Sequence, residues 1–247
     1  MAGLFSLNGH RALVTGANTG IGRAIAETLA AQGARVTCAG RRSTAETVAA
    51  IMQAGGQADE LRIDFADPLA ARDVFKGAGY SLLVNNAGII RRDDAVTHSE
   101  ADWDAVIDTN LKAVFFTCQA FGRELIATGG DGAIVNIASL LSFQGGIRVP
   151  GYTASKHGVA GITKLLANEW APHGITVNAI APGYIATNNT EALRDDPDRS
   201  RQILDRIPAG RWGRPEDIAG TAAYLCSGAA RYVTGAVLNV DGGWLAR

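Results

Sequence analysis

A doubly wound α/β fold, a seven-stranded parallel sheet with helices on both faces, is what this sequence predicts. Short apolar runs alternate with longer helical segments along all 247 residues. Several runs are continuously apolar instead of alternating, as in strands covered on both sides. The first run also feeds directly into a glycine-rich turn and then a helix.

Strands are expected at 11–15, 35–39, 60–63, 82–85, 133–138, 176–180 and 236–240. Helical segments fall between them at 21–32, 43–54, 68–77, 101–127, 153–171 and 215–227. Gly33, Gly55 and Gly174 stand where helix-ending glycines belong. No repeat, low-complexity tract or linker interrupts the chain, which implies one domain over 1–247. The stretch 183–210 breaks the rhythm: it is polar, holds Pro197 and Pro208, and follows a strand end on the ligand side. A substrate lid is the functional reading, and a surface excursion the plain one.

Bulk properties exclude several classes. The composition, 47% hydrophobic and 19% charged, is that of a globular protein with ample core. A net charge of −1 gives no bulk attraction to nucleic acid or to a membrane surface. Cys38, Cys118 and Cys226 are scattered and odd in number, the pattern of inert buried thiols in a reducing compartment. His10, His98, His157 and His173 lack metal-ligand spacing, so no metal is expected. No signal-like or membrane-length run is present, and a cytoplasmic location is expected.

The turn after the first strand reads Thr15-Gly16-Ala17-Asn18-Thr19-Gly20-Ile21-Gly22. Gly16 permits a tight turn, while Gly20 and Gly22 let backbone approach a pyrophosphate and let helix pack on strand. The phosphates of a dinucleotide would meet the free N–H groups of the helix start, as in a Rossmann fold. At the tip of the second strand, Gly40-Arg41-Arg42 carries no carboxylate for a ribose 2′-hydroxyl. Arg41 and Arg42 instead offer guanidinium groups to a 2′-phosphate, favouring NADP(H) with NAD(H) tolerated; solvated surface is the alternative.

The reactive set lies in the second half. Ser139 ends the fifth strand, and thirteen residues later come Tyr152 and Lys156, four apart at a helix start and therefore on one face. A tyrosine titrates near pH ~10, too high for a base at neutral pH. A neighbouring ammonium, a helix start and an oxidised nicotinamide would each favour phenolate. Lys156 is thus expected to lower the pKa of Tyr152 and to grip the nicotinamide ribose. Ser139 can hydrogen-bond the substrate oxygen. Taken singly, each has a plain reading: a buried ring, a cap, a solvated cation.

These residues carry a resemblance. The sequence resembles the short-chain dehydrogenase/reductases over essentially its whole length, through Thr15–Gly22, Asn85-Asn86-Ala87-Gly88, Asn110, Ser139, Tyr152, Lys156 and Pro182-Gly183. The resemblance implies a tetrad of Asn110, Ser139, Tyr152 and Lys156, with Asn110 holding a water behind Lys156. It also implies that Gly16, Asn18, Thr19, Gly20, Ile21 and Gly22 cradle the cofactor. Asp64 and Phe65 would meet the adenine, and Asn86, Ala87 and Gly88 the middle of the dinucleotide. Pro182, Gly183, Ile185 and Thr187 would reach the carboxamide end. Within the family, Ile90-Arg91-Arg92, 142–149, 184–190, 207–213 and 241–247 resemble the dehydrogenases of deoxy sugar acids, those acting on 2-dehydro-3-deoxy-D-gluconate or 2-deoxy-D-gluconate. That group is usually described as using NAD, and Gly40-Arg41 departs from its acidic tip.

A sugar acid brings a carboxylate that a fixed cation must meet. Arg148, in the loop entering the reactive helix, is the first candidate, with Gln144 offering an amide to hydroxyls and Tyr184 a further substrate contact. Arg91, Arg92 and Arg211 are reserves, each with a surface or structural reading. The helix after Tyr152 has small and apolar residues on more than one face, and the resemblance implies that it pairs across a homotetramer. No nucleic-acid or membrane partner is expected. Two rivals remain: a 3-oxoacyl-carrier-protein reductase, which needs a basic docking face, and a silent NADP-binding regulator, which would be expected to have lost part of the tetrad.

Overall fold

Parallel pairing joins all seven strands in the order β3-β2-β1-β4-β5-β6-β7. They are β1 Arg11–Thr15, β2 Arg35–Gly40, β3 Gln57–Arg62, β4 Leu82–Asn85, β5 Gly132–Ile137, β6 Ile175–Pro182 and β7 Val237–Val240. The computed structural model describes residues 3–246; Met1, Ala2 and Arg247, within the expected domain range, lie outside the described residues. The helices are α1 Gly20–Ala31, α2 Ala45–Gln53, α3 Glu100–Ile107, α4 Ala113–Thr128, α5 Pro150–Trp170, α6 Glu191–Arg194, α7 Pro197–Leu204 and α8 Pro215–Cys226.

The central strands are buried on both sides because successive side chains serve two separate cores. Ala12 and Val14 of β1 face a core closed by Ile25 and Leu29 of α1 and Ile218 and Ala222 of α8. Leu13, between them, faces another closed by Phe121 of α4 and Val159 and Leu166 of α5. Each fully buried Val, Leu, Ile or Phe among them contributes about 1.5–3 kcal/mol. Strand order reverses between β1 and β4, so the connections that follow them leave in opposite directions and open the crevice in which such sheets bind ligands.

Four expected elements differ, the first being α5, which begins at Pro150, three residues before the expected 153, because the fixed φ of proline suits the first helical turn. β3 starts at Gln57, three residues before the expected 60–63; as an edge strand it carries the polar run Gln-Ala-Asp-Glu-Leu-Arg and has no apolar block to mark its start. The segment 68–77 is a chain of turns, not a helix. Leu69, Ala71, Asp73 and Phe75 carbonyls each accept from the amide three residues on, while Ala71 and Phe75 anchor the segment in the core. The expected helix 101–127 is split by a π-helical turn, Asp108–Lys112, that carries Asn110.

The stretch 183–210, read as a lid or a surface excursion, holds the short helices α6 and α7. Ile203 and Ile207 pack with Leu140 and Trp244, and Tyr184, Leu193 and Trp212 close around them. Tyr184 meets Trp212 edge-on at 5.6 Å and Trp244 at 4.7 Å. Among the described residues no helix is long and apolar enough to cross a membrane.

Candidate active site

The cradle at the switch point is made mostly of backbone. Gly16 and Gly20 have φ of 65° and 56°, which side chains disfavour. A Cβ on Gly22 would stand 2.3 Å from the Gly16 carbonyl oxygen and 2.4 Å from Asn86 Nδ2, so only glycine lets α1 sit this close. Asn86 Nδ2 donates to the carbonyls of Thr15 at 3.0 Å and Gly16 at 3.2 Å. The buried Thr15 hydroxyl accepts from the amides of Asn86 and Ala87, both at 2.9 Å. Asn86 thus shapes the loop from behind, and Gly88 is exposed beside it. Asn18 and Ile21 are half-buried and Thr19 is exposed; Thr19 makes no side-chain cap, leaving the first N–H groups of α1 to an anion. The missing cap, the positive backbone angles and the filled Cβ positions fit a dinucleotide's diphosphate.

The adenine end is open. Arg41 and Asp64 are exposed and 4.0 Å apart, the outer limit of an ion pair. Arg42 is exposed as well, and Phe65 is buried below. Arg41 is therefore not committed to a partner and can turn to a phosphate.

At the other side of the crevice, Ser139 lies two residues beyond β5, and its hydroxyl accepts from the Leu141 amide at 3.2 Å. The same hydroxyl neighbours the half-buried Tyr152 phenol and favours its phenolate. Lys156 is buried, lies with Nζ 5.5 Å from the Tyr152 ring, and donates to the Ile137 carbonyl at 2.6 Å. Burial pushes the Tyr152 pKa up, against smaller lowering by Ser139 and by the charge of Arg92. Burial likewise brings Lys156 down to about 8. The expected lowering of Tyr152 by Lys156 is thus absent: the ammonium is turned to a backbone carbonyl, and desolvation dominates both groups.

Asn110 is fully buried in its π turn. Its amide pairs both ways with the backbone of Ile89, accepting from N and donating to O at 2.8 Å each, and also donates to Ser155 Oγ at 3.4 Å. The extra residue per turn positions this amide between β4 and α5.

The candidate carboxylate-binding arginines separate sharply. Arg148 has φ 63° and pairs with Asp94 at 3.1 Å on the surface, its carbonyl accepting from Asp93. Arg91 pairs with Asp102 at 3.0 Å. Arg211 forks onto Asp217 at 2.7 and 2.9 Å, which holds Asp217 down at about 2. Among the described residues Arg92 alone of these four has no carboxylate partner. It donates to the Asn189 carbonyl at 3.4 Å and is felt electrostatically by Tyr152. Gln144 is half-buried at the loop start, and Tyr184 is half-buried under Trp212 and Trp244.

β6 leads into the segment 183–210, which is fastened by backbone. Gly183 donates to the Val240 carbonyl at 2.9 Å as the chain leaves Pro182. Ile185 is buried and bridges to Gly213, and Thr187 caps the turn at 188–190. Sequence reasoning missed a buried polar chain below the crevice. Asn85 Nδ2 donates to Asn136 Oδ1 at 2.9 Å, and Asn136 Nδ2 to Thr163 Oγ1 at 3.0 Å. Thr163 lies seven residues after Lys156 on the same face of α5, the one available clue. The three thiols are free and buried, each pushed up to about 12 by desolvation, as inert thiols should be.

A phosphate cradle facing a serine, tyrosine and lysine is an arrangement for proton and hydride transfer. The family model described as enoyl-(acyl carrier protein) reductase matches residues 16–245. The chain belongs to the short-chain dehydrogenase/reductase family. The 2-dehydro-3-deoxy-D-gluconate 5-dehydrogenase of Dickeya dadantii is 52% identical over 248 residues, 98% of each chain. A crystal structure from Agrobacterium tumefaciens, provisionally assigned as a 2-deoxy-D-gluconate 3-dehydrogenase with bound NADP, is 70% identical, covers 99% of each chain and has a TM-score of 0.98. One from Beutenbergia cavernae, provisionally an NAD(P)-dependent gluconate 5-dehydrogenase with NADP at low occupancy, is 49% identical over 99% of this chain and 100% of that one, with a TM-score of 0.96. The resemblance read from the motifs is borne out.

Proposed function

We propose that this family member is an NADP-linked dehydrogenase of a deoxy sugar acid, of the 2-dehydro-3-deoxy-gluconate or 2-deoxy-gluconate type. The observation that carries the reading is the convergence of Ser139, Tyr152 and buried Lys156, whose Nζ lies 5.5 Å from the Tyr152 ring, across the crevice from the glycine cradle. NADP in the relatives and the uncommitted Arg41 support the coenzyme, with NAD tolerated. The loop 16–22, Arg41, Arg42, Asp64, Phe65, 86–88, Lys156 and 182–187 would hold it. When bound, the nicotinamide supplies a hydride acceptor in one direction and a donor in the other.

In the oxidative direction Tyr152, as phenolate, takes the hydroxyl proton of the carbon that loses hydride. Ser139 donates to the same oxygen as it becomes a carbonyl. Lys156, drawn from the Ile137 carbonyl to the ribose, brings its charge toward Tyr152 and favours phenolate, with Asn110 ordering the relay behind it. In reduction Tyr152 returns the proton. Arg92, uncommitted and close enough to influence Tyr152, binds the substrate carboxylate, with Gln144 and Tyr184 lining the hydroxyl path. Arg148 shapes the loop instead, since Asp94 already matches its charge.

The finer assembly belongs to the same reading. The chain forms one catalytic domain with 183–210 as its lid, works in the cytoplasm, and assembles as a homotetramer. Gly161 and Leu165, exposed on α5, support the last. Purified protein is to be offered 2-deoxy-gluconate, 2-dehydro-3-deoxy-gluconate and acetoacetyl thioesters with either coenzyme. Turnover of a sugar acid at least a hundred times that of any thioester is expected. Preference for the thioester would make the chain a 3-oxoacyl-carrier-protein reductase, and no turnover of any substrate a silent regulator.

A further inference from the structure

Arg194 ends the short helix α6 in the lid, half-buried, and donates through one terminal nitrogen to the Thr187 carbonyl at 3.3 Å. Its Nε is fully enclosed and has no hydrogen-bond partner. An enclosed guanidinium N–H without an acceptor is costly, and such orphans are rare unless a ligand supplies what is missing. Arg194 also has no carboxylate in ion-pair range among the described residues, unlike Arg91, Arg148 and Arg211. Thr187 links this cation to the cradle. A Cβ on Gly20 would meet the Thr187 methyl carbon at 3.3 Å, so the residue that Arg194 grips already lies against the phosphate loop. Arg92 holds the lid two residues further on, at Asn189, on the side of Tyr152. The two arginines therefore sort by position: Arg92 to the substrate side, Arg194 to the loop side.

We propose that Arg194 is a lid-borne clamp for the cofactor diphosphate, so that a bound dinucleotide latches 187–196 over the crevice. The inference rests on the dinucleotide reading above and adds a ligand that neither the glycine pattern nor the tetrad contains. Nε and the second terminal nitrogen lie on opposite edges of the planar guanidinium and are left free by the bond to Thr187, so they can meet different oxygens of a diphosphate. Its order of events follows: the dinucleotide closes the lid, and the closed lid presents Arg92 to the sugar acid.

Binding without turnover tests it. In Arg194→Gln the Kd of NADPH and of NADH, read from quenching of protein tryptophan fluorescence, is expected to rise about ten- to a hundredfold. Adenosine 2′-phosphate, which has no diphosphate, should bind the variant as it binds the parent. Hydrogen exchange across 187–196 should slow when NADPH is added to the parent but not to the variant, and Arg194→Lys should restore part of both effects. An NADPH Kd within twofold of the parent overturns the proposal. So does a variant that binds NADPH normally but loses affinity for 2-deoxy-gluconate, because the cation then serves the substrate. A protein that turns over no sugar acid would overturn the proposed function and leave these binding results readable.

Discussion

The two walls of the crevice are built by different means. The wall formed by β1, α1 and the end of β4 uses backbone: positive-φ glycines, an uncapped helix start, and Thr15 and Asn86 stitching one strand end to the next. The wall toward 183–210 uses side chains: Arg92, Tyr152, Lys156, and an aromatic cluster of Tyr184, Trp212 and Trp244. A backbone cradle binds what every dinucleotide shares, whereas projecting side chains discriminate among substrates. The comparison teaches where change is tolerated. A Cβ added at Gly22 collides with fixed backbone, while Arg92 can be exchanged and only the choice of substrate follows.

Breaking the reactive wall at its centre should have the largest effect. Tyr152→Phe is expected to retain fold and NADPH binding yet lose roughly a thousandfold or more in kcat, because no proton carrier remains. Steady-state rates beside a cofactor titration check it; activity within tenfold of the parent would sink the mechanism.

A paired substitution sharpens the assignment of the anionic end. Arg92→Met should lower kcat/KM for a sugar acid by about 1.5–3 kcal/mol, roughly ten- to a hundredfold, and far less for the matching neutral sugar. Arg148→Met removes an exposed ion pair and should shift both substrates by no more than about 0.5 kcal/mol. The reverse ranking would return the carboxylate to the loop before α5.

The smallest effect is on stability, and its sign is specific. Lys156 titrates at about 8 in the folded protein against 10.5 ordinarily, so below pH 8 the fold carries the whole cost of a buried ammonium. That cost is about 3 kcal/mol, partly offset by the bond to the Ile137 carbonyl. Between pH 8 and 10.5 the unfolded chain holds more protons than the folded one, so parental stability rises with pH across that window. Lys156→Met should therefore be more stable than the parent by about 1–2 kcal/mol at pH 7 and lose the advantage by about pH 10. Denaturant melts at both pH values decide it; an inactive variant less stable than the parent at pH 7 would show that the ammonium stabilises the fold.

Much of this was legible in the chain, and the reasons are local. The continuous apolar runs required strands covered on both faces, and β1 and β4 fall where those runs lie. Gly16, Gly20 and Gly22 stand at a strand-to-helix turn because no other residue tolerates those angles and approaches. Tyr152 and Lys156 share a face through a spacing of four. Tertiary structure decided the rest. The start of β3 depends on pairing with β2, since its own residues are polar. The π turn at Asn110 answers to Ile89, twenty-one residues away, and 68–77 winds as turns around Ala71 and Phe75. No spacing distinguishes Arg92 from Arg91, Arg148 or Arg211, because each choice depends on an aspartate brought near by folding. The direction of the Tyr152 and Lys156 shifts came from burial, a property of the packed molecule that no single stretch of sequence contains.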